Sequence, residues 1–251
     1  MSYTREKTAE EIESMRIAGK MLATVLQYVK SQTVAGMSTQ DLDDLAAKKL
    51  KTLGGAPSFL GYNGFPSVLC VSVNDEVVHG LPNKHKILEE GDIVSIDFGV
   101  TYRGMVTDAA ITYALGSVDP RIQKLIDVTE RSMHAGIETL RDGVRVGDIS
   151  RAIQKVLDSR GYGIVRDLVG HGVGHRLHEE PDIPNYGHAG SGPTLQAGMT
   201  IAIEPMATLG GWQVTMDDDH WTIRTKDHSL AAHFEHTILI TEKGYEILTE
   251  V

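Results

Sequence analysis

Residues 168–185 read LVGHGVGHRLHEEPDIPN and set His171, His175, His178, Glu179 and Glu180 within ten positions. His171 and His175 are four apart, the spacing of the metal-binding helix motif H-E-x-x-H. A helix is excluded here, because Gly170, Gly172 and Gly174 flank them and each glycine costs a helix ~1 kcal/mol. Gly172 also stands where that motif carries its general base. An extended strand is expected instead, with His171 and His175 on one face and His178 beyond a bend. In that geometry His171 is the candidate to complete a carboxylate cluster. His178 is a candidate substrate contact, and His175, beside Arg176, is expected to be a hydrogen-bonded part of the scaffold.

Four acids lie in or beside apolar strand-like runs: Asp97 in IVSIDFGV, Asp108 in MVTDAAITY, Glu204 after TIAI and Glu235 before HTILI. Buried carboxylates must be paired or ligate metal. With Tyr102 and Arg103 as a two-residue hairpin loop, Asp97 and Asp108 are expected to face each other. Directly opposed side chains have Cβ atoms ~4.5–5.5 Å apart. Such a pair can share a proton, bridge two metal ions ~3.5–4 Å apart, or sit solvated near the turn. His79 ends another apolar strand and is, taken alone, a weak signal.

The framework around these residues repeats. Thr8 and Glu11 form a capping-box pattern, followed by Ile12, Met15, Leu22, Val25, Leu26 and Val29 at helical spacing. A second helix is expected from about Thr39 to Gly54, then β-rich segments at Ser67–Val73, Ile93–Val100 and Met105–Tyr113. A third helix starts at Asp119-Pro120, and a fourth runs from Asp148 to Ser159. A shift of 107 places Gly36 on Gly143, Asp41 on Asp148, Leu50 on Leu157, Gly54 on Gly161 and Asp97 on Glu204. The fold class expected is α+β, one domain over residues 1–251 with pseudo-symmetric halves of roughly 1–115 and 116–251.

The 251 residues carry a formal net charge of -10, which argues against general nucleic-acid binding. Cys70 is the single cysteine, so no intrachain disulfide forms, as suits a reducing compartment. No apolar run approaches the ~18–20 residues of a membrane span, and the polar N-terminus lacks a signal-peptide core. A cytoplasmic chain without membrane association is expected.

As a set, VNDEVVHGLP, VSIDFG, GMVTDAA, GHGVGHRLHEEP, IAIEPM and HFEHTILIT resemble the type I methionine aminopeptidases of the short bacterial kind. The resemblance covers nearly the whole chain and implies the pita-bread fold, two helix and antiparallel-sheet halves around a dinuclear metal site. It implies two divalent ions, of Co, Mn, Fe or Zn, an oxygen-rich ligand set favouring the first three. Asp97 would hold one ion, Asp108 and Glu235 would bridge both, and His171 and Glu204 would complete the ligand set of the other. A bridging water, acidified by the ions, would attack the scissile carbonyl. Glu204 would carry its proton, His178 would polarise the carbonyl, and His79 would contact the nitrogen beyond the scissile bond. The methionine pocket would draw on Tyr62, Phe65, Cys70, His79 and Trp221. The implied substrates are N-terminal peptides of nascent proteins with a small second residue, met near the ribosome by a monomer. The chain's own Met1-Ser2 fits that rule.

Two departures concern the pocket wall: Phe59 and Leu177 stand where other members often carry Cys and an aromatic residue. No zinc-finger extension precedes the motifs, and the His178–Glu204 interval is too short for the type II insertion. The alternatives are an aminopeptidase P or prolidase-like enzyme, usually with an extra N-terminal domain, and a non-catalytic binding protein, which would lack ligand residues. The acidic run Asp217–Asp219 is expected to be a polar turn ahead of Trp221.

Overall fold

A computed structural model describes residues 3–250, so Met1-Ser2 lie outside the described residues. Helix α1 (Ala9–Gln32) begins at the expected capping box: the Glu11 amide donates to Thr8 Oγ1 at 3.3 Å and the Thr8 amide to Glu11 Oε2 at 2.8 Å. Helix α2 (Thr39–Leu53) is capped by Ser38 and stopped by Gly54, whose φ of 84° suits only glycine well. Helix α3 (Pro120–Ile137) takes Asp119 as its cap, with Pro120 in the first turn. Helix α4 (Val146–Asp158) starts two residues before the expected Asp148, which instead accepts from the Arg145 amide at 3.2 Å.

The 107-residue shift recurs in the backbone hydrogen bonds. Gly36 N donates to Leu88 O at 2.8 Å, and Gly143 N to Leu195 O at 2.9 Å. Thr39 N donates to Lys86 O at 2.9 Å, and Val146 N to Pro193 O at 3.0 Å. Gly36 and Gly143 have φ of 92° and 78°. The same turn therefore delivers α2 and α4 onto their sheets.

In the first half, strand Ile93–Tyr102 pairs with Met105–Ala114 on one side and Leu69–Val73 on the other. Helices α1 and α2 cover this sheet through Leu22, Leu42, Leu50, Ile96 and Phe98. Phe98 is fully buried, and burying such a side chain contributes ~1.5–3 kcal/mol. In the second half, the strand order is Gly244–Ile247, His236–Thr241, Thr200–Ile203, Gly170–Gly172, Glu179–Ile183. Its core with α3 and α4 includes Leu125, Ile149, Ile153, Ile201 and Ile238. The sheets meet where Ala110 and Glu235 exchange backbone hydrogen bonds of 3.2 and 2.9 Å. There Thr237 Oγ1 also accepts from the Asp108 amide and donates to its carbonyl, both at 2.8 Å. No helix among the described residues is long and apolar enough to cross a membrane.

Two expectations are corrected. The hairpin turns at Arg103-Gly104, not Tyr102-Arg103, and both turn residues have positive φ, 48° and 79°. That mirror-image turn matches the right-handed twist of the strands. Asp97 consequently pairs with Ala110, and Asp108 with Gly99. The two acids share a face as diagonal neighbours rather than direct partners. Secondly, the strand carrying His171 ends at Gly172. Gly174, with φ of 143°, turns the chain, and its amide donates to Arg176 O at 3.0 Å. His171 and His175 therefore do not share a strand face.

Candidate metal centre and its cavity

Both halves send carboxylates to the seam between the sheets. Ligand atoms of Asp108, His171 and Glu235 lie within 4.8 Å of one another, and so do those of Glu204, His233 and Glu235. Asp97, on the same face as Asp108, is 8% exposed. Burial pushes the Asp97 carboxyl up to about 7, with a hydrogen bond to Asp108 opposing the shift. Asp108, Glu204 and Glu235 are likewise driven well above the usual carboxylate range, first by burial and then by one another's charges. Asp97 Oδ1, Asp108 Oδ1 and Glu235 Oε1 are buried without a hydrogen-bond partner. Oxygen atoms so placed fit a bound cation, which satisfies them and removes the repulsion.

The imidazole beside them has matching chemistry. Burial, and then His178, holds His171 down to about 3, so its ring is neutral. His171 Nδ1 lies 2.9 Å from Gly172 O and donates to it. The Nε2 lone pair is thereby turned towards Glu204 Oε1, 3.4 Å away. A backbone carbonyl fixing the tautomer of a ligating histidine is a common supporting arrangement.

A cavity of about 150 Å³ opens onto these groups. It is small beside the ~300–1,000 Å³ of drug-sized sites and suits a single side chain. Tyr62, Phe65, Cys70, His79 and Trp221 all line it, as do Phe59 and Leu177. Phe65 packs edge-on against Phe59 at 6.4 Å and against Trp221 at 5.1 Å between ring centroids. Gly99 makes room for Phe59, since a Cβ there would lie 2.7 Å from the Phe59 ring. The acidic run before Trp221 is a turn: Asp219 Oδ1 accepts from the Trp221 and Thr222 amides, both at 2.8 Å, and Asp217 pairs with Arg224.

His178 Nδ1 is 2.8 Å from the Tyr62 hydroxyl, and its ring stands edge-on to His171 at 4.3 Å. Burial lowers its pKa, keeping it neutral. His79 sits at φ 58°, a strained conformation for a side-chain-bearing residue, and burial lowers it to about 4. His175 lies away from the cavity, with Nε2 2.8 Å from Glu11 Oε1. The residue that sequence reasoning missed is His233. It is 1% exposed, with Nε2 3.8 Å from Glu204 Oε2 and 4.0 Å from Glu235 Oε2, and neither ring nitrogen has a hydrogen-bond partner. Its available signal was position, two residues before Glu235 in an extended segment, hence on the same side.

Residues 13–242 match the model of metallopeptidase family M24, and the chain belongs to that family of metal-dependent hydrolases, with its pita-bread fold. Within it, the chain is similar to the methionine aminopeptidase of Clostridium acetobutylicum, 47% identical over 97% of both chains. The crystal structure of a methionine aminopeptidase from Thermotoga maritima superposes with a TM-score of 0.97 at 49% identity, covering 99% of this chain and 100% of that one. The prolidase from Pyrococcus furiosus shares the fold at 23% identity, with a TM-score of 0.79 over 98% of this chain and 65% of that one.

Proposed function

We propose that residues 1–251 form one catalytic unit that removes the N-terminal methionine from polypeptides whose second residue is small. The observation that carries this reading is the junction of a buried carboxylate and imidazole cluster with a small, aromatic-walled cavity. Asp97, Asp108, His171, Glu204 and Glu235 would hold two divalent ions, of Mn, Fe, Co or Zn, with Asp108 and Glu235 as the candidates to serve both. When bound, such ions lower the pKa of coordinated water towards ~7 and polarise the scissile carbonyl. The methionine side chain enters between Phe65, Cys70 and Trp221.

The chain's own groups handle the proton and the developing charge. Glu204, whose burial makes its carboxylate more basic than an exposed one, accepts a proton and returns it to the leaving amine. With its Nδ1 accepting from the Tyr62 hydroxyl, His178 presents Nε2–H to the carbonyl oxygen and stabilises the oxyanion. His79, held in its strained backbone conformation, contacts the nitrogen beyond the scissile bond. The enzyme is proposed to work as a cytoplasmic monomer on nascent chains near the ribosome, without specific nucleic-acid contacts.

Metal analysis together with assays on Met-Ala-Ser and Gly-Pro peptides tests the reading. Methionine release from the first alone, lost with chelator and restored by a divalent ion, is the expected result. Cleavage of Gly-Pro instead would place the activity with the prolidases.

A further inference from the structure

The segment between His171 and His178 is held from outside the site by the first residues of the chain. The Thr4 amide donates to Glu180 O at 2.6 Å, and the Lys7 amide to Gly198 O at 2.8 Å, so residues 3–7 lie as a strap across the second-half sheet. The Lys7 side chain is fully buried. Its Nζ donates to Thr4 Oγ1 and Arg5 O, both at 2.9 Å, and lies 3.6 Å from Glu179 Oε2. That Glu179 oxygen has no hydrogen-bond partner, while Oε1 accepts from the Arg176 amide at 2.9 Å. Lys7 also fills the space beside Gly174, where a Cβ would meet Lys7 Cε at 2.4 Å. The same turn is tied to the first half by the Val106 amide, which donates to Gly174 O at 2.7 Å.

We propose that Lys7 is a positioning residue: through Glu179 and the Gly174–Leu177 turn it fixes where His178 points. This inference rests on the role given to His178 above. The physical reason is that Glu179 binds both the turn's backbone and a buried ammonium. Loss of either charge leaves the other unpaired in the interior, and the turn relaxes to solvate it. A displacement of ~1 Å at a catalytic group is enough to cost ~10²-fold in rate.

The test uses the metal-loaded full chain with Lys7→Met and Lys7→Arg. Lys7→Met should lower kcat on Met-Ala-Ser by ~10–100-fold, with KM nearly unchanged. Metal content should stay the same, and the His178 ring Cε1–H resonance should shift. Lys7→Arg should recover most of the rate and the resonance. If Lys7→Met does not fold, Lys7→Met/Glu179→Gln, which buries no lone charge, should fold and keep most of the rate and the resonance, while Glu179→Gln alone, which leaves the ammonium unpaired, should show the loss; equal rates in these two variants would overturn the proposal. Wild-type kcat and an unmoved His178 resonance in folded Lys7→Met, or a loss expressed wholly in metal content, would overturn it as well. The resonance is read without substrate, so it stands apart from the functional reading, which fails only if wild-type enzyme releases no methionine.

Discussion

The two halves share a scaffold and divide the chemistry unequally. In each, a left-handed glycine, Gly36 or Gly143, starts the same backbone hydrogen-bond pattern and launches a helix onto a sheet. The first half contributes Asp97 and Asp108 from one continuous hairpin, and most of the cavity wall. The second contributes Glu204, Glu235, His171, His178 and His233 from shorter strands interrupted by bends. A long unbroken hairpin fixes two acids in a rigid diagonal. Irregular backbone lets His171, His178 and His233 approach from different directions. Duplication thus conserves the frame, while the departures from regular strands differentiate the site.

The severest loss in this division is expected at the seam. Asp108→Ala should reduce turnover by at least ~10³-fold and abolish binding of the second metal equivalent, measured by calorimetry alongside the peptide assay. Retained turnover with full metal loading would sink the shared-ligand role. In the second half, His233→Leu removes a nitrogen facing Glu204 and should lower kcat by ~10–100-fold, whereas His233→Gln, which keeps a donor, should hold most of it. Equal loss in both variants would reduce His233 to packing.

A pH titration compares the cluster with and without metal. Burial raises Asp97 to about 7, well above an ordinary carboxylate, so the folded chain binds protons that the unfolded chain releases. Its stabilising contribution is full below about pH 4, where the unfolded carboxyl is also protonated, and is lost as pH rises through about 7. The rises at Asp108, Glu204 and Glu235 act in the same direction. Chelated protein should therefore melt lower at pH 8 than at pH 6, and metal affinity should rise over that interval as protons are displaced. A flat melting profile in chelator, with affinity independent of pH, would contradict the burial of these carboxylates. The mildest change probes the shared frame. Neither Gly36 nor Gly143 has a neighbour within 4 Å of where a Cβ would stand, so alanine at either costs only the strained φ, ~1–2 kcal/mol. Equal losses of ~2–8 °C in Tm are expected from thermal melts, and a clear inequality would show that the two turns are not equivalent.

Much of this was legible in the chain because its causes are local. Thr8 with Glu11, Asp119 with Pro120 and Gly54 after Leu53 mark helix ends through hydrogen bonds and φ preferences within a few residues. Asp97 among Ile, Phe and Val is costly to bury alone, so it signals a partner wherever the strand lies. The hairpin register was not legible. Thr-Tyr-Arg-Gly lacks the Asn-Gly or Asp-Gly that announces a mirror-image turn, and Arg103 adopts positive φ against its own preference. His233 was missed because its neighbours Glu204 and Glu235 come from different strands.

Residue order alone was enough for the starts of α1, α2 and α3, the 107-residue recurrence and the set of acids that apolar strands cannot bury unpaired, since each follows from short-range backbone and solvation energetics. It took the assembled fold to show that Asp97 and Asp108 meet diagonally, that His175 turns to Glu11 while His171 turns to Glu204, and that Lys7 reaches Glu179. The first depends on the two-residue register of one hairpin turn, and the others on how two sheets and a distant strap close on one another; pairing between segments far apart in the chain leaves no mark in local propensity.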